Sequence, residues 1–78
     1  MTTIYAISKT TTGGTRNTIA RMVGSYATEG EMIDELSEMA DMDRGSGYKV
    51  EFLTEYAFTA KDDRETAVYV GHTYTEGQ

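Results

Sequence analysis

Seven carboxylates fall within fifteen residues of this chain, and no lysine or arginine lies among them. They are Glu29, Glu31, Asp34, Glu35, Glu38, Asp41 and Asp43. The other sixty-three residues carry six acidic and seven basic side chains, so this one segment accounts for the net charge of −6. Clustered carboxylates can bind a metal ion, transfer protons or contact a basic surface, and each of these chemistries requires its own spacing.

The acidic segment does not match a metal site or a glycosidase site. Asp41-Met42-Asp43 begins like a calcium loop, but Gly45 and Ser46 stand where the loop needs a ligand and a glycine, and Phe52 replaces its bidentate glutamate. Carboxylate pairs about 5–9.5 Å apart can hydrolyse glycosides. Thirteen acidic residues supply such pairs by chance, however, and a sheet with one helix offers no cleft. We therefore expect no metal and no cofactor.

Nucleophilic catalysis and nucleotide binding are also disfavoured. His72 is the only histidine and no G-x-S-x-G turn accompanies it, so we expect it near a strand end, bonded to backbone or water. Ile4–Ser8, Thr12–Thr15 and Ile19-Ala20 together resemble the first strand, phosphate loop and helix of flavodoxin-like proteins. The Walker ending is missing, and 78 residues are too few for a doubly wound sheet. We predict that the chain is not an enzyme, and a small-ligand site at Gly13-Gly14 remains the third alternative.

The composition restricts the compartment and the class of partner. The chain has no cysteine, which excludes disulfides and thiolate metal sites. The N-terminus lacks the apolar core of a signal peptide, and no run approaches the roughly 18 apolar residues of a membrane span. We predict one soluble, cytoplasmic domain over residues 1–78. The acidic balance argues against direct nucleic-acid binding, which needs excess positive charge.

The acidic residues lie on the clearest predicted element, a helix over residues 28–44. Thr28 followed three residues later by Glu31 matches a capping box. Arg44 suits the negative C-terminal end, and Gly45 is predicted to be the left-handed stop. The apolar face consists of Met32, Ile33, Leu36, Met39 and Ala40, and the opposite face carries Glu31, Asp34, Glu35, Glu38 and Asp41.

Strands are predicted on both sides of this helix. Residues 3–10 form the first, and the Gly13-Gly14 turn favours a hairpin strand over residues 16–26, although helical spacing leaves that segment open. Residues 49–58 and 66–74 alternate in polarity and form two more strands, while residues 75–78 are expected to fray.

The order β-β-α-β-β predicts an α+β fold, a four-stranded, mostly antiparallel sheet with one amphipathic acidic helix packed on one face. A single helix of about 25 Å cannot cover both faces of a sheet. The second face is therefore expected to meet water or another chain, with Leu53, Tyr69 and Met22 as its apolar candidates.

The acidic helix face costs stability, which favours a role in binding. Five like-charge pairs at i+3 or i+4 spacing are unfavourable by about 1–2.5 kcal/mol in total. A face that served solubility alone could use Glu–Lys pairs instead. Glu31, Asp34, Glu35, Glu38 and Asp41 are therefore predicted to bind a basic surface built for nucleic acid. Tyr26, Tyr48 and Tyr69 are the predicted aromatic contributors, since tyrosine is enriched at hot spots.

A very small, acidic, cysteine-free α+β chain with its charge on one helix resembles the phage-encoded inhibitors of bacterial defence, of which the anti-CRISPR proteins are the best-known group. The resemblance covers the whole chain in size, charge and predicted topology, and rests on no shared motif. It implies a stoichiometric inhibitor that docks on a nucleic-acid-binding surface of a host complex, in the cytoplasm of a bacterial host. The alternative is a structural or self-assembling module whose open sheet face forms a homodimer.

Overall fold

The part of the protein that the structure describes folds as one antiparallel sheet with a single helix. The computed structural model describes residues 2–13 and 18–76. Its elements are β1 (Thr2–Gly13), β2 (Thr18–Tyr26), α1 (Glu29–Gly45), β3 (Lys49–Thr54), β4 (Ala57–Lys61) and β5 (Glu65–Glu76). The five strands lie in the order β2-β1-β5-β4-β3, and every neighbouring pair is antiparallel. The α+β class is confirmed, whereas the prediction of four strands is wrong.

The additional strand comes from the segment 49–58, which is a hairpin with its turn at Glu55 and Tyr56. Phe52 pairs with Phe58 across this hairpin. Residues six apart also share a face within one continuous strand, so the polarity alternation is the same in both arrangements. The turn contains no Gly, Pro, Asn or Asp, the residues that usually mark a turn. Leu53, which breaks the alternation, lies where the register of β3 shifts.

The segment before the helix is a strand over Thr18–Tyr26, which confirms the hairpin interpretation for those residues. Residues 14–17, with the second glycine of the predicted turn, lie outside the described residues. A register shift in the β1–β2 pair leaves Val23 as an extra residue in β2. At the other end of the chain β5 extends to Glu76, so the predicted fraying is wrong at 75 and 76, and 77–78 are not described.

The ends of α1 follow the predicted chemistry with two corrections. Thr28 is the N-cap, and its hydroxyl accepts the Glu31 N–H at 3.1 Å. The Glu31 carboxylate accepts from the Thr28 hydroxyl at 3.2 Å, which differs from the reciprocal bond of a full capping box. The helix includes Gly45, and Gly47 with φ of 94° takes the left-handed position instead. The N–H of Tyr48 donates to the Asp43 carbonyl at 2.9 Å, which completes a Schellman-type end.

Helix α1 leaves the sheet at edge strand β2, crosses one face and returns at the opposite edge strand β3. The side chains buried between helix and sheet include Ile7, Met32, Leu36, Phe58 and Tyr69. The placement of Tyr69 on the open face is wrong. It pairs with Phe58 and Lys9 on the helix side, because residues paired across strands share a face.

One glycine allows the helix to approach the sheet closely. A Cβ atom at Gly71 would come within 3.0 Å of the Met32 side chain, which is itself fully buried. The Gly71 N–H donates to the Tyr56 carbonyl at 2.7 Å, so the β3–β4 turn is fixed against β5 at the same point. Within the described residues, no helix has the length and apolar character needed to cross a bilayer.

Candidate functional site

The first candidate surface is the outer side of α1. We define the acidic stripe as Glu31, Asp34, Glu35, Glu38 and Asp41. At about 100° per residue these five positions fall within an arc of about 120°, and they span about 15 Å of helix axis. All are exposed except Glu35, which is half-buried. Met32, Leu36 and Ala40 are buried on the opposite side and hold the stripe in this orientation.

Little positive charge neutralises this stripe. Among the described residues the only ion pair is that of Asp41 with Arg44, at 3.0 Å and exposed to solvent. An exposed pair of this kind contributes between zero and about 1 kcal/mol. Glu29 lies in the first helical turn, where the helix dipole favours it, and half-buried Asp43 faces the sheet. The stripe is therefore a concentrated negative surface.

The three predicted tyrosines occupy different environments. Tyr26 is half-buried at the end of β2; burial and the nearby Glu35 carboxylate raise the pKa of its hydroxyl, which places it beside the stripe. Tyr69 is only 6% exposed and stacks on Phe58 with ring centroids 4.5 Å apart, so it cannot contact a partner in this structure. The fold places Tyr26 beside the stripe and buries Tyr69 in the core.

Tyr48 follows the helix and packs against the core while its hydroxyl donates to Glu65 at 2.7 Å. This hydrogen bond, together with partial desolvation and the negative charges of Glu65, Asp62 and Asp43, raises the pKa of Tyr48 to about 12. The hydroxyl is therefore already engaged within the fold. Tyr48 supports the end of α1 rather than adding a free donor to the stripe.

Replacing Tyr48 with phenylalanine should change how stability depends on alkaline pH. Unfolded chains lose the tyrosine proton from about pH 10, whereas the folded chain retains it up to about pH 12. The folded state then binds more protons, so the Tyr48 contribution is complete below pH 10 and is lost as pH rises to 12. Urea denaturation across this window should show a smaller loss of stability for Tyr48→Phe than for the wild type. Parallel pH profiles for the two proteins would contradict the assignment.

The calcium-like start at Asp41-Met42-Asp43 does not form a metal centre. Asp41 projects outward and pairs with Arg44, while Asp43 lines a groove on the sheet side with Lys9 and Arg21. Across the described residues no three side chains of the metal-binding types converge. Helical geometry explains the divergence, because residues two apart point about 200° from each other.

Grooves elsewhere on the molecule are shallow and mix charges of both signs. One of about 160 Å³ lies between α1 and β1, with Lys9, Arg21 and Asp43 in its lining. Another of about 330 Å³ lies beside Lys61 and Asp62. Gly13 lines neither groove, and Gly14, the other residue of the small-ligand alternative, lies outside the described residues. Oppositely charged linings give these grooves no clear preference for an anion or a cation.

The second candidate surface is the sheet face opposite α1, for which the sequence predicted Met22 correctly but not the other members; Leu53 lies unpaired at the register shift of β3. The register places Ile4, Met22, Val68, Val70, His72 and Tyr74 on this face. Met22 is 54% and Tyr74 is 44% exposed. We call this surface the open face. The strict alternation of residues 68–74 was the signal for it, but alternation alone does not say which of the two faces the helix covers.

The open face has one polar pair near its centre. The Ser8 hydroxyl and His72 Nε2 are 2.8 Å apart, and the His72 ring stacks on Tyr74 with centroids 5.9 Å apart. The expected bond of His72 to backbone or water is thus replaced by a side-chain partner. A serine–histidine contact is one part of a nucleophilic site, but catalysis also needs an acid that orients the histidine and a substrate cleft. On the described residues this contact lies on a sheet face and not in either groove.

Fold and surfaces together define a small α+β protein with an acidic helix on one side and an uncovered antiparallel sheet on the other. Comparisons of the chain with protein-family models, with curated proteins and with solved structures found no match. The resemblance to anti-CRISPR proteins therefore stays a prediction. The function has to be argued from the two surfaces themselves.

Proposed function

We propose that the protein is a protein-binding inhibitor of the anti-CRISPR kind, whose acidic stripe occupies a basic nucleic-acid-binding surface of a bacterial defence complex. The observation that carries this proposal is the spacing of the exposed carboxylates along one rigid helix face. Five carboxylates over about 15 Å of axis give roughly one negative charge every 4 Å. The phosphates of one DNA strand repeat about every 3.4 Å along the duplex axis. The stripe therefore presents nearly the same linear density of negative charge to a protein groove that binds DNA phosphates.

The placement of the basic residues supports the same proposal. Lys9 and Arg21 face the helix side of the sheet beneath α1, and Lys49 and Lys61 pair with each other at the β3–β4 end. None of these cations is on the stripe, and the one neighbouring arginine, Arg44, lies at its C-terminal end. A basic partner would therefore meet a surface of one sign. Electrostatic attraction would speed the encounter and fix the orientation of the helix.

A charge-reversal experiment tests this proposal. Purified guide-RNA effector complexes are mixed with the protein, and binding of their target DNA is followed by mobility shift at low and high salt. We expect the wild type to inhibit DNA binding and to weaken as salt increases. The double variant Glu35→Lys/Glu38→Lys should lose about tenfold to hundredfold in inhibition, because each reversed charge opposes the basic groove.

The matched control is Glu55→Lys/Asp63→Lys, which changes net charge by the same amount at two exposed turn positions that are not part of the acidic stripe. It should inhibit nearly as well as the wild type. Equal losses in the two double variants would show that net charge alone matters and would refute the stripe as the interface. A Glu35→Lys/Glu38→Lys protein that inhibits as well as the wild type would also refute the stripe as the interface.

A further inference from the structure

We propose that the open face binds a second copy of this chain, so that two sheets pack face to face and the two helices lie on the outside of the dimer. The surface extends across the two central strands β1 and β5. Between Thr66 and Tyr74 it carries no Asp, Glu, Lys or Arg, and Val68 and Val70 lie at its centre. An uncharged face of this kind is typical of a surface that is buried in an assembly.

The area of the face is sufficient for a stable interface. The two longer dimensions of the molecule are 45 and 24 Å, which limit the sheet face to about 1,000 Å². A stable protein–protein interface needs about 800 Å² from each partner. A second copy laid across most of the face would reach that value, and two antiparallel sheets packed about 10 Å apart form a common sandwich arrangement.

The distribution of charge favours a second copy on this face and not on the helix side. In the sandwich the two acidic stripes point away from each other. They lie about 30 Å apart, because the spacing between the two sheets and the thickness of the two helix layers, each about 10 Å, separate them. That separation is several times the Debye length of about 8 Å at physiological salt, so the net charge of −6 on each copy opposes dimerisation only weakly. Contact between the helix sides would bring the two stripes together.

The polar groups at the centre of the face do not prevent its burial. Ser8 Oγ and His72 Nε2 already satisfy each other through their 2.8 Å contact. Charged side chains reach the face in the described β3–β4 region, where Lys49 pairs with Lys61 and Glu51 pairs with Thr59 along its margin. A polar margin around an apolar centre is the usual composition of a protein interface.

Edge-to-edge pairing is the less favourable route to a dimer. Both edge strands carry register irregularities, β2 at Val23 and β3 at Leu53. Such bulges bend a strand and interrupt its row of free hydrogen-bonding groups, which is how natural sheets avoid adding further strands. The β1–β5 pair at the middle of the open face has no register shift. The second copy is therefore expected to pack on the face and not to extend the sheet.

Sedimentation velocity on the full chain tests this inference. We expect a species of twice the 8.6 kDa chain mass at micromolar concentration, and added salt should not dissociate it, because apolar burial drives the contact. Val70→Asp should reduce the mass twofold, to that of a monomer. Thr73→Asp is the matched control, since it adds the same charge three residues further along β5 on the opposite face, where the side chain is exposed. It should remain dimeric.

Val70 is half-buried, so a second pair of variants guards against simple unfolding. Met22→Asp and Tyr74→Asp alter side chains that are already about half exposed, and circular dichroism will show whether each variant keeps the wild-type fold. Both should be monomeric when folded. A wild type that stays monomeric up to millimolar concentration overturns the inference, as do folded Met22→Asp and Tyr74→Asp proteins that remain dimeric. These variants leave the acidic stripe unchanged, so failure here is distinguishable from failure of the proposed inhibitor function.

Discussion

Replacing Phe58 with alanine is expected to remove a large part of the folding stability of this protein. Phe58 is fully buried at the centre of the helix–sheet interface. Its ring stacks on Tyr69, and its centroid lies 5.2 Å from that of the Phe52 ring. Truncating a buried phenylalanine to alanine costs about 3–5 kcal/mol. A domain of this size has a total stability of only about 4–12 kcal/mol. The loss should therefore lower the urea midpoint by about a quarter or more, measured by circular dichroism.

Phe52→Ala is the matched control, because the chain contains only two phenylalanines and the structure pairs them across the β3–β4 hairpin. Phe52 is 42% exposed at the edge of the sheet, so its removal should cost about 1 kcal/mol. A difference of at least about 2 kcal/mol between the two variants is expected. Equal losses would contradict the placement of Phe58 in the core and of Phe52 at its margin.

The helix could be predicted from the sequence because its signals are local. The Thr28 cap, the apolar spacing of Met32, Leu36 and Ala40, and the acidic outer face all lie within one segment. The hairpin in 49–58 could not be predicted, since pairing Phe52 with Phe58 preserves the alternation of a single strand. The turn at Glu55 and Tyr56 is fixed by non-local contacts, including the hydrogen bond from Gly71, and not by turn-forming residues.

The two candidate surfaces also differ in whether the sequence alone could predict them. The position of the acidic stripe depends only on helical periodicity, so the sequence defines its members. The faces of the sheet depend on which side the helix packs, and that choice is made by contacts distant in sequence. Tyr69 and Val70 are neighbours in an alternating strand, and the pattern alone cannot decide which of them is covered. In the structure Tyr69 is buried under α1 and Val70 lies on the open face.

A single substitution on the stripe should raise stability while it weakens binding. Glu38 has a like charge at three neighbouring positions, Asp34, Glu35 and Asp41, and it is exposed. Lysine at position 38 would turn three repulsive pairs into three attractive ones, for a gain of about 1–3 kcal/mol at low ionic strength. Thermal denaturation should show the midpoint of Glu38→Lys higher by about 5–15 °C.

Glu38→Gln separates relief of repulsion from new attraction, and it should give about half the gain. Salt provides a second check, because screening weakens both kinds of pair. The wild type should become more stable as salt is added, whereas Glu38→Lys should lose part of its advantage. A Glu38→Lys protein no more stable than the wild type would mean that the stripe carries no electrostatic strain. If the variant is more stable and also fails to inhibit, loss of folding cannot explain the lost inhibition, and the carboxylates of the stripe are then required for binding itself.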